Sequence, residues 1–352
     1  MTFDSACEWL WVEPLSTATL RSCPEDFQVF EQLPFEPDGE GEHLFLYIRK
    51  RGENTDWVAR QLARFCQISP RDVGYAGKKD RHAVTEQWFS VRLPIGRTLN
   101  WSLFGGDSIQ VLRSCRHSRK LRLGALSGNR FVIRLRDLTR PEAFAARVEQ
   151  IRAGVPNFFG EQRFGHAGGN LDKGLALLQG TLKERQRHKK GLYISALRSW
   201  LFNQVINARI RQGLWEQILP GDVLMLDGSQ SCFMADDSPR LPERLRRGEV
   251  HLTGPMWGRG ELMTRDVAAA FEMEALASAS AICAGLESLG LNQERRALRL
   301  MPGALAAREL SEGQWLLEFE LPAGAFATSV LRELCHWQNA AAPAEVNRET
   351  YR

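Results

Sequence analysis

The stretch GNRFVIRLR at residues 128–136 alternates with period two, placing Asn129, Phe131, Ile133 and Leu135 on one side and Arg130, Arg134 and Arg136 on the other. A half-buried strand satisfies that pattern, because successive side chains of a strand point to opposite faces. EQWFSVRL at 86–93 repeats it, with Gln87, Phe89, Val91 and Leu93 on one face and Glu86, Trp88, Ser90 and Arg92 on the other. EDFQVFEQL and EHLFLYIRK read as two further strands across the turn-rich EPDGEGEH, and QWLLEFELP as another near the C-terminus. Helices are expected over NTDWVARQLARFCQIS, capped by Asn54 or Thr55, and from Leu138 to about Gly154. Two more are expected over SALRSWLFNQVINARIRQG, capped by Ser195 and stopped by Gly213, and over AFATSVLRELCHWQN.

A chain of 352 residues exceeds what one hydrophobic core usually serves, which favours two domains. The aromatic, glycine-rich VPNFFGEQRFGHAGGN places a boundary near Gly154, and residues 341–352 read as a frayed tail. The N-terminus is acidic, and nowhere do about 18 uninterrupted apolar residues occur, so no signal peptide or membrane span is expected. Seven cysteines stand as scattered singletons without a C-x-x-C pair, the pattern of a reduced, cytoplasmic protein.

Charge is distributed unevenly along the chain. Residues 111–136 carry Arg113, Arg116, Arg119, Lys120, Arg122, Arg130, Arg134 and Arg136 with no acid before Asp137, and KERQRHKK at 183–190 is basic except for Glu184. Clustered cations release condensed counterions on meeting phosphates, so the blocks point to RNA or DNA. An isolated block would read equally well as a solvated face.

Within GYAGKKDRHAVTEQWFSV, Asp80 stands among Lys78, Lys79, Arg81 and His82. Neighbouring positive charge favours an ionised carboxylate, which suits a nucleophile or base better than a proton donor. The competing reading is a turn aspartate that satisfies backbone groups. No G-x-S-x-G, G-x-x-x-x-G-K-[ST], H-E-x-x-H or zinc-deaminase motif is present. A hydrolase could divide acid and base roles between Asp80 and Glu86. A module that only clamps RNA would leave Asp80 unexplained, because a free carboxylate repels phosphate.

Five segments in one order, CPEDFQVFE, GYAGKKDRHAVTEQW, KLRLGALSGNRFVIRLR, GVPNFFGEQRFG and LPAGAFATSVLREL, resemble the TruD-type tRNA pseudouridine synthases over residues 22–334. The resemblance implies an enzyme that isomerises uridine 13 in the D arm of tRNA to pseudouridine without metal or organic cofactor. It also implies an α+β core with a mixed, mostly antiparallel sheet, built from residues 1–154 and 304–340. An inserted α+β domain, the TRUD domain, would occupy 155–303. Nothing in the sequence resembles a coiled coil, so a monomer with no obligate protein partner is expected.

By position in the family's motifs, Asp80 is the expected nucleophile, Asn129 a polar contact to the substrate and Phe131 an aromatic against the target base. Phe27 and Phe326 are expected near the flipped nucleotide. Lys79 and Arg21 would hold Asp80 ionised or bind phosphate; Arg21 stands where family members often have lysine. The reaction must break N1–C1′, rotate the free uracil and rejoin it through C5. A carboxylate can begin this by adding to C6, by capturing C1′ or by removing a ribose proton, and the sequence leaves all three open. A stacked target must also be flipped into a pocket with aromatic faces and donors to the base edge.

Overall fold

The computed structural model describes residues 3–340; the expected tail at 341–352 lies outside them. The chain begins with β1 (Thr17–Leu20), β2 (Phe27–Gln32), β3 (His43–Arg51), α1 (Thr55–Cys66), β4 (Val73–Tyr75), β5 (Val84–Arg92), β6 (Ile109–His117) and β7 (Gly128–Leu135). Next come α2 (Pro141–Ile151), β8 (Val155–Pro156), α3 (Gly169–Leu178), α4 (Arg187–Arg211), β9 (Val223–Leu226), β10 (Cys232–Met234), α5 (Leu241–Arg246) and β11 (Val250–Met256). The chain continues through α6 (Asp266–Ala275), α7 (Ser280–Ser288), β12 (Glu294–Ala297), β13 (Arg299–Leu300), β14 (Gly303–Ser311), β15 (Gln314–Pro322), α8 (Ala327–Leu334) and β16 (His336–Asn339).

One compact unit comprises residues 14–148, 302–324 and 334–340. Its sheet runs β14-β15-β7-β2-β5-β3-β6, with β4 on β5. β2 pairs parallel with β5, and the other neighbours pair antiparallel. This is the mixed, mostly antiparallel sheet of an α+β fold, and β14 and β15 join it from the C-terminal part of the chain. Register follows the period of two. Phe27, Val29 and Glu31 of β2 face Ile133, Phe131 and Asn129 of β7, and Phe319 and Leu321 of β15 extend the same face. Phe131, Ile133 and Leu135 are buried as the alternation requires. α1 covers this face, packing Val58, Leu62, Ala63 and Cys66 against Leu46, Ile48, Phe89 and Val91. Each large apolar side chain so buried contributes about 1.5–3 kcal/mol.

The other unit comprises residues 3–13, Glu149–Met301 and Ala325–Glu333. It holds the four-stranded sheet β10-β9-β11-β12 and a core around Leu197, Leu201, Phe202 and Val205 of α4. Its bounds differ from the expected 155–303 segment, because stretches distant in sequence pack into it. Phe3 meets Trp200 edge-on at 5.1 Å, and Trp200 Nε1 donates to Asp4 O at 2.7 Å. Arg332 donates to the carbonyls of Cys7 and Glu8 at 2.9 and 3.1 Å.

α4 also departs from expectation, since Ser195 lies inside the helix rather than capping it. The buried stripe Tyr193, Ala196, Leu197 and Trp200 starts before Leu197, so the helical period extends back into the basic segment. Gly213, at φ +68°, follows the helix end as expected. Among the described residues, no single helix is long and apolar enough to cross a membrane.

Candidate active site

Asp80 lies on the link between β4 and β5, and three neighbouring elements pin that link by its backbone. From β5, Gln87 Nε2 donates to Gly77 O at 3.1 Å. From the first turn of α1, Thr55 Oγ1 donates to Gln87 Oε1 at 2.9 Å and accepts from Lys79 N at 3.0 Å. From the end of β3, Lys50 Nζ donates to Asp80 O at 3.0 Å. The Asp80 side chain itself remains 45% exposed. The result is a fixed backbone carrying an accessible carboxylate.

The cation on that carboxylate comes from elsewhere in the sequence. Lys78 donates to Asp56 at 2.7 Å, Lys79 pairs with Glu31, Arg81 Nε donates to Gly52 O at 3.4 Å, and His82 is exposed. Arg21 Nη2 meets Asp80 Oδ2 at 2.8 Å. The expectation that flanking residues hold Asp80 is therefore corrected: Lys78 and Lys79 are engaged by Asp56 and Glu31, and Arg21, the other residue expected to hold the carboxylate, supplies the counter-charge. Lys79 is likewise corrected from a substrate contact to a core ion pair, its side chain 5% exposed against Glu31 at 0%.

Arg21 is held tightly. Its guanidinium carbon lies 4.0 Å from the Phe27 ring centroid, and its backbone adopts φ +57°, a left-handed conformation uncommon outside glycine. Such strain persists where surrounding contacts over-determine it, and it clusters at functional sites. Arg21 Nε is buried and has no hydrogen-bond partner among the described residues.

Phe27 meets Phe131 edge-on at 6.3 Å, and Phe131 stacks on Phe319 at 5.2 Å. Both Phe27 and Phe131 are buried, so they form an aromatic floor beside Arg21 with one face of Phe131 already covered. Asn129, opposite Glu31 across the β2–β7 pair, is half-buried, and its Oδ1 has no partner among the described residues. The structure thus gathers Arg21, Phe27, Lys79, Asp80, Asn129 and Phe131 in the unit of the large sheet. Phe326 belongs to the other unit, where its ring meets Phe159 edge-on at 6.0 Å.

Four further residues build the site without having been expected there: Thr55, Gln87, Glu31 and Lys50. Glu31 and Lys50 occupy inward positions of β2 and β3, and a charged residue in such a position is the signal that marks them. Burial pushes the Glu31 carboxyl up, opposed by Lys79. Burial pulls the Lys50 ammonium down to about 8, opposed by the Asp80 charge. Glu86 does not join Asp80 as a second carboxylate. Strand parity puts it on the face opposite Thr85 and Gln87, where Arg49 binds it at 2.7 and 2.9 Å.

The basic segment 111–136 is largely engaged within the fold. Arg113 pairs with Glu36 at 3.1 Å, Arg130 with Glu318 at 3.2 Å and Arg136 with Asp26 at 2.9 Å. Arg116 donates to the carbonyls of Leu93 and Pro94, and Lys120 to that of Arg71. Arg119 and Arg122 stay exposed. In the other unit, residues 185–190 are all exposed, and Arg187, His188, Lys189 and Lys190 open α4.

The family model described as tRNA pseudouridine synthase D (TruD) matches residues 9–187 and 178–334. The tRNA pseudouridine synthase D of Shewanella oneidensis is 46% identical, over 95% of this chain and 90% of its own. That of Aeromonas salmonicida is 48% identical, over 93% of both chains, and that of Xanthomonas campestris pv. campestris is 48% identical, over 94% and 95%. The crystal structure of the putative tRNA pseudouridine synthase D (TruD) from Methanosarcina mazei shares the fold, with a TM-score of 0.71 over 95% of each chain at 22% identity. With the matched segments spanning both the Asp80 link and the central unit, the chain belongs to the TruD family of tRNA pseudouridine synthases, which are isomerases.

Proposed function

We propose that this chain isomerises uridine 13 in the D arm of tRNA to pseudouridine, with Asp80 opening the glycosidic bond of a flipped uridine. The observation that carries the reading is the exposed Asp80 carboxylate, paired with Arg21 at 2.8 Å on a link whose backbone is fixed from β3, α1 and β5. Two buried polar atoms without a hydrogen-bond partner among the described residues support it. A buried donor or acceptor left unmade costs about 1–3 kcal/mol. Arg21 Nε and Asn129 Oδ1 are one donor and one acceptor of that kind, and a uracil edge offers carbonyl acceptors and an N3–H donor.

Asp80 carries the chemistry by one of three routes: addition to C6, capture of C1′ or removal of a ribose proton. In each, N1–C1′ breaks, the uracil rotates, C5 bonds to C1′, the C5 hydrogen leaves to water as a proton, and N1 takes up a proton in exchange. Uridine 13 and the D arm rest on the sequence resemblance, and tRNA as substrate on the names of the relatives. The protein would act as a cytoplasmic monomer, a setting that its seven free cysteines fit.

The test is tRNA transcript carrying tritium at uracil C5. Wild-type protein releases label to water with the strand intact, and transcript with cytidine at position 13 releases none above background. Strand cleavage, or binding without release, contradicts the proposal. The exposed start of α4 supplies part of the tRNA contact. Replacing Lys189 and Lys190 with Glu weakens tRNA affinity and lowers the log–log salt slope by about 1–2, as expected for one or two lost phosphate contacts. A slope and affinity equal to wild type at low salt would show that these lysines face solvent only.

A further inference from the structure

Lys50 is a fully buried cation whose ammonium meets two backbone carbonyls, Glu53 O at 2.7 Å and Asp80 O at 3.0 Å. Buried charges ordinarily pair with an opposite charge or coordinate metal. Here one of the acceptors is the peptide oxygen of the residue that carries the proposed chemistry. The charged groups facing the ammonium are the Asp80 carboxylate, the Lys79 ammonium and the Glu53 carboxylate. Lys79 is held by Glu31 and Asp80 by Arg21, while Glu53 accepts from Ser108 Oγ at 3.3 Å. The Lys50 charge is therefore offset only partly, and its position joins the turn after β3 to the Asp80 link from beneath.

We infer that Lys50 is a positioning residue: its ammonium clamps the carbonyls of Glu53 and Asp80 together and so fixes the direction in which the Asp80 carboxylate projects. The inference rests on the proposed role of Asp80. Hydrogen bonds from an ionised donor are roughly twice as strong as neutral ones. Removing the ammonium loosens the link where it carries the acting group. A displacement of about 1 Å by a group outside the chemistry can lower turnover on the order of a hundredfold.

The experiment compares wild type with Lys50→Met and Lys50→Gln. Lys50→Met is expected to lower kcat for C5 tritium release on the order of a hundredfold, with KM for tRNA unchanged. Lys50→Gln keeps an amide donor for one carbonyl and falls between the two. Wild-type kcat declines above about pH 8 as the ammonium loses its proton, and both variants lack that limb. Crystal structures supply a readout independent of turnover, in which the 2.8 Å Asp80–Arg21 contact is lost in Lys50→Met. A displaced link in Lys50→Met together with an inactive wild type would sink the functional reading and leave the clamp standing. Wild-type kcat in either folded variant, an unchanged alkaline limb, or an unmoved Asp80 would overturn the clamp.

Discussion

Lys79→Met lowers the free energy of unfolding by about 3–5 kcal/mol, the usual effect of removing one partner of a buried ion pair. Lys79 and Glu31 are 5% and 0% exposed, and Glu31 also accepts from Trp88 N at 3.0 Å. Burial already pushes the Glu31 carboxyl up against the opposing Lys79 charge. Without the ammonium, Glu31 must take a proton or keep an unmatched charge in the core. The double variant Lys79→Met with Glu31→Gln removes both charges and keeps an acceptor for Trp88 N. Its stability should return to within about 1 kcal/mol of wild type, because a buried pair replaced as a unit is often neutral. Urea midpoints of the four proteins check this. Losses that simply add would show that the two groups do not act as a pair.

This pair illustrates what the sequence does and does not expose. Period-two alternation is a local signal, so β5 and β7 were readable as strands from 86–93 and 128–136 alone, and the inward face of β7 with them; β5, buried on both faces from Thr85 to Val91, hides Glu86, Trp88 and Ser90 as well. α1 was readable for the same reason, with Val58 and Leu62 buried as the helical spacing requires. The partner of Asp80 was not readable in this way. Arg21 lies 59 residues away, and it reaches the carboxylate only because β2 and β5 run side by side in the sheet. The adjacent cations misled because adjacency in sequence is not pairing: Asp56 takes Lys78 and Glu31 takes Lys79. Glu31 and Lys50 stand at positions that the period of two makes inward, Glu31 in step with Phe27 and Val29 and Lys50 in step with Leu46 and Ile48. Ser195 misled as a familiar cap type inside a longer apolar stripe. Contiguity misled at residues 3–13 and Ala325–Glu333, which group with the central segment and take Phe326 with them.

Asp80→Asn is expected to lower turnover by more than about 10⁴-fold, the scale on which loss of a sole reacting group acts. The amide matches the carboxylate in size and still offers Arg21 an oxygen, but it cannot open the glycosidic bond by any of the three routes. Because the side chain is 45% exposed, the fold should lose no more than about 1 kcal/mol, the range of partly exposed ion pairs. Affinity for tRNA is expected to be kept or to rise, since the change removes a negative charge that would repel the backbone of a bound RNA. His82→Ala, by contrast, should stay near wild type, because that exposed side chain takes no step. Asp80→Ala goes further by removing every side-chain oxygen. The most direct measurement is single-turnover tritium release from C5-labelled tRNA by Asp80→Ala protein whose folding and tRNA binding match wild type. Release should be indistinguishable from the protein-free control; release at a substantial fraction of the wild-type rate would mean that a group other than Asp80 opens the glycosidic bond.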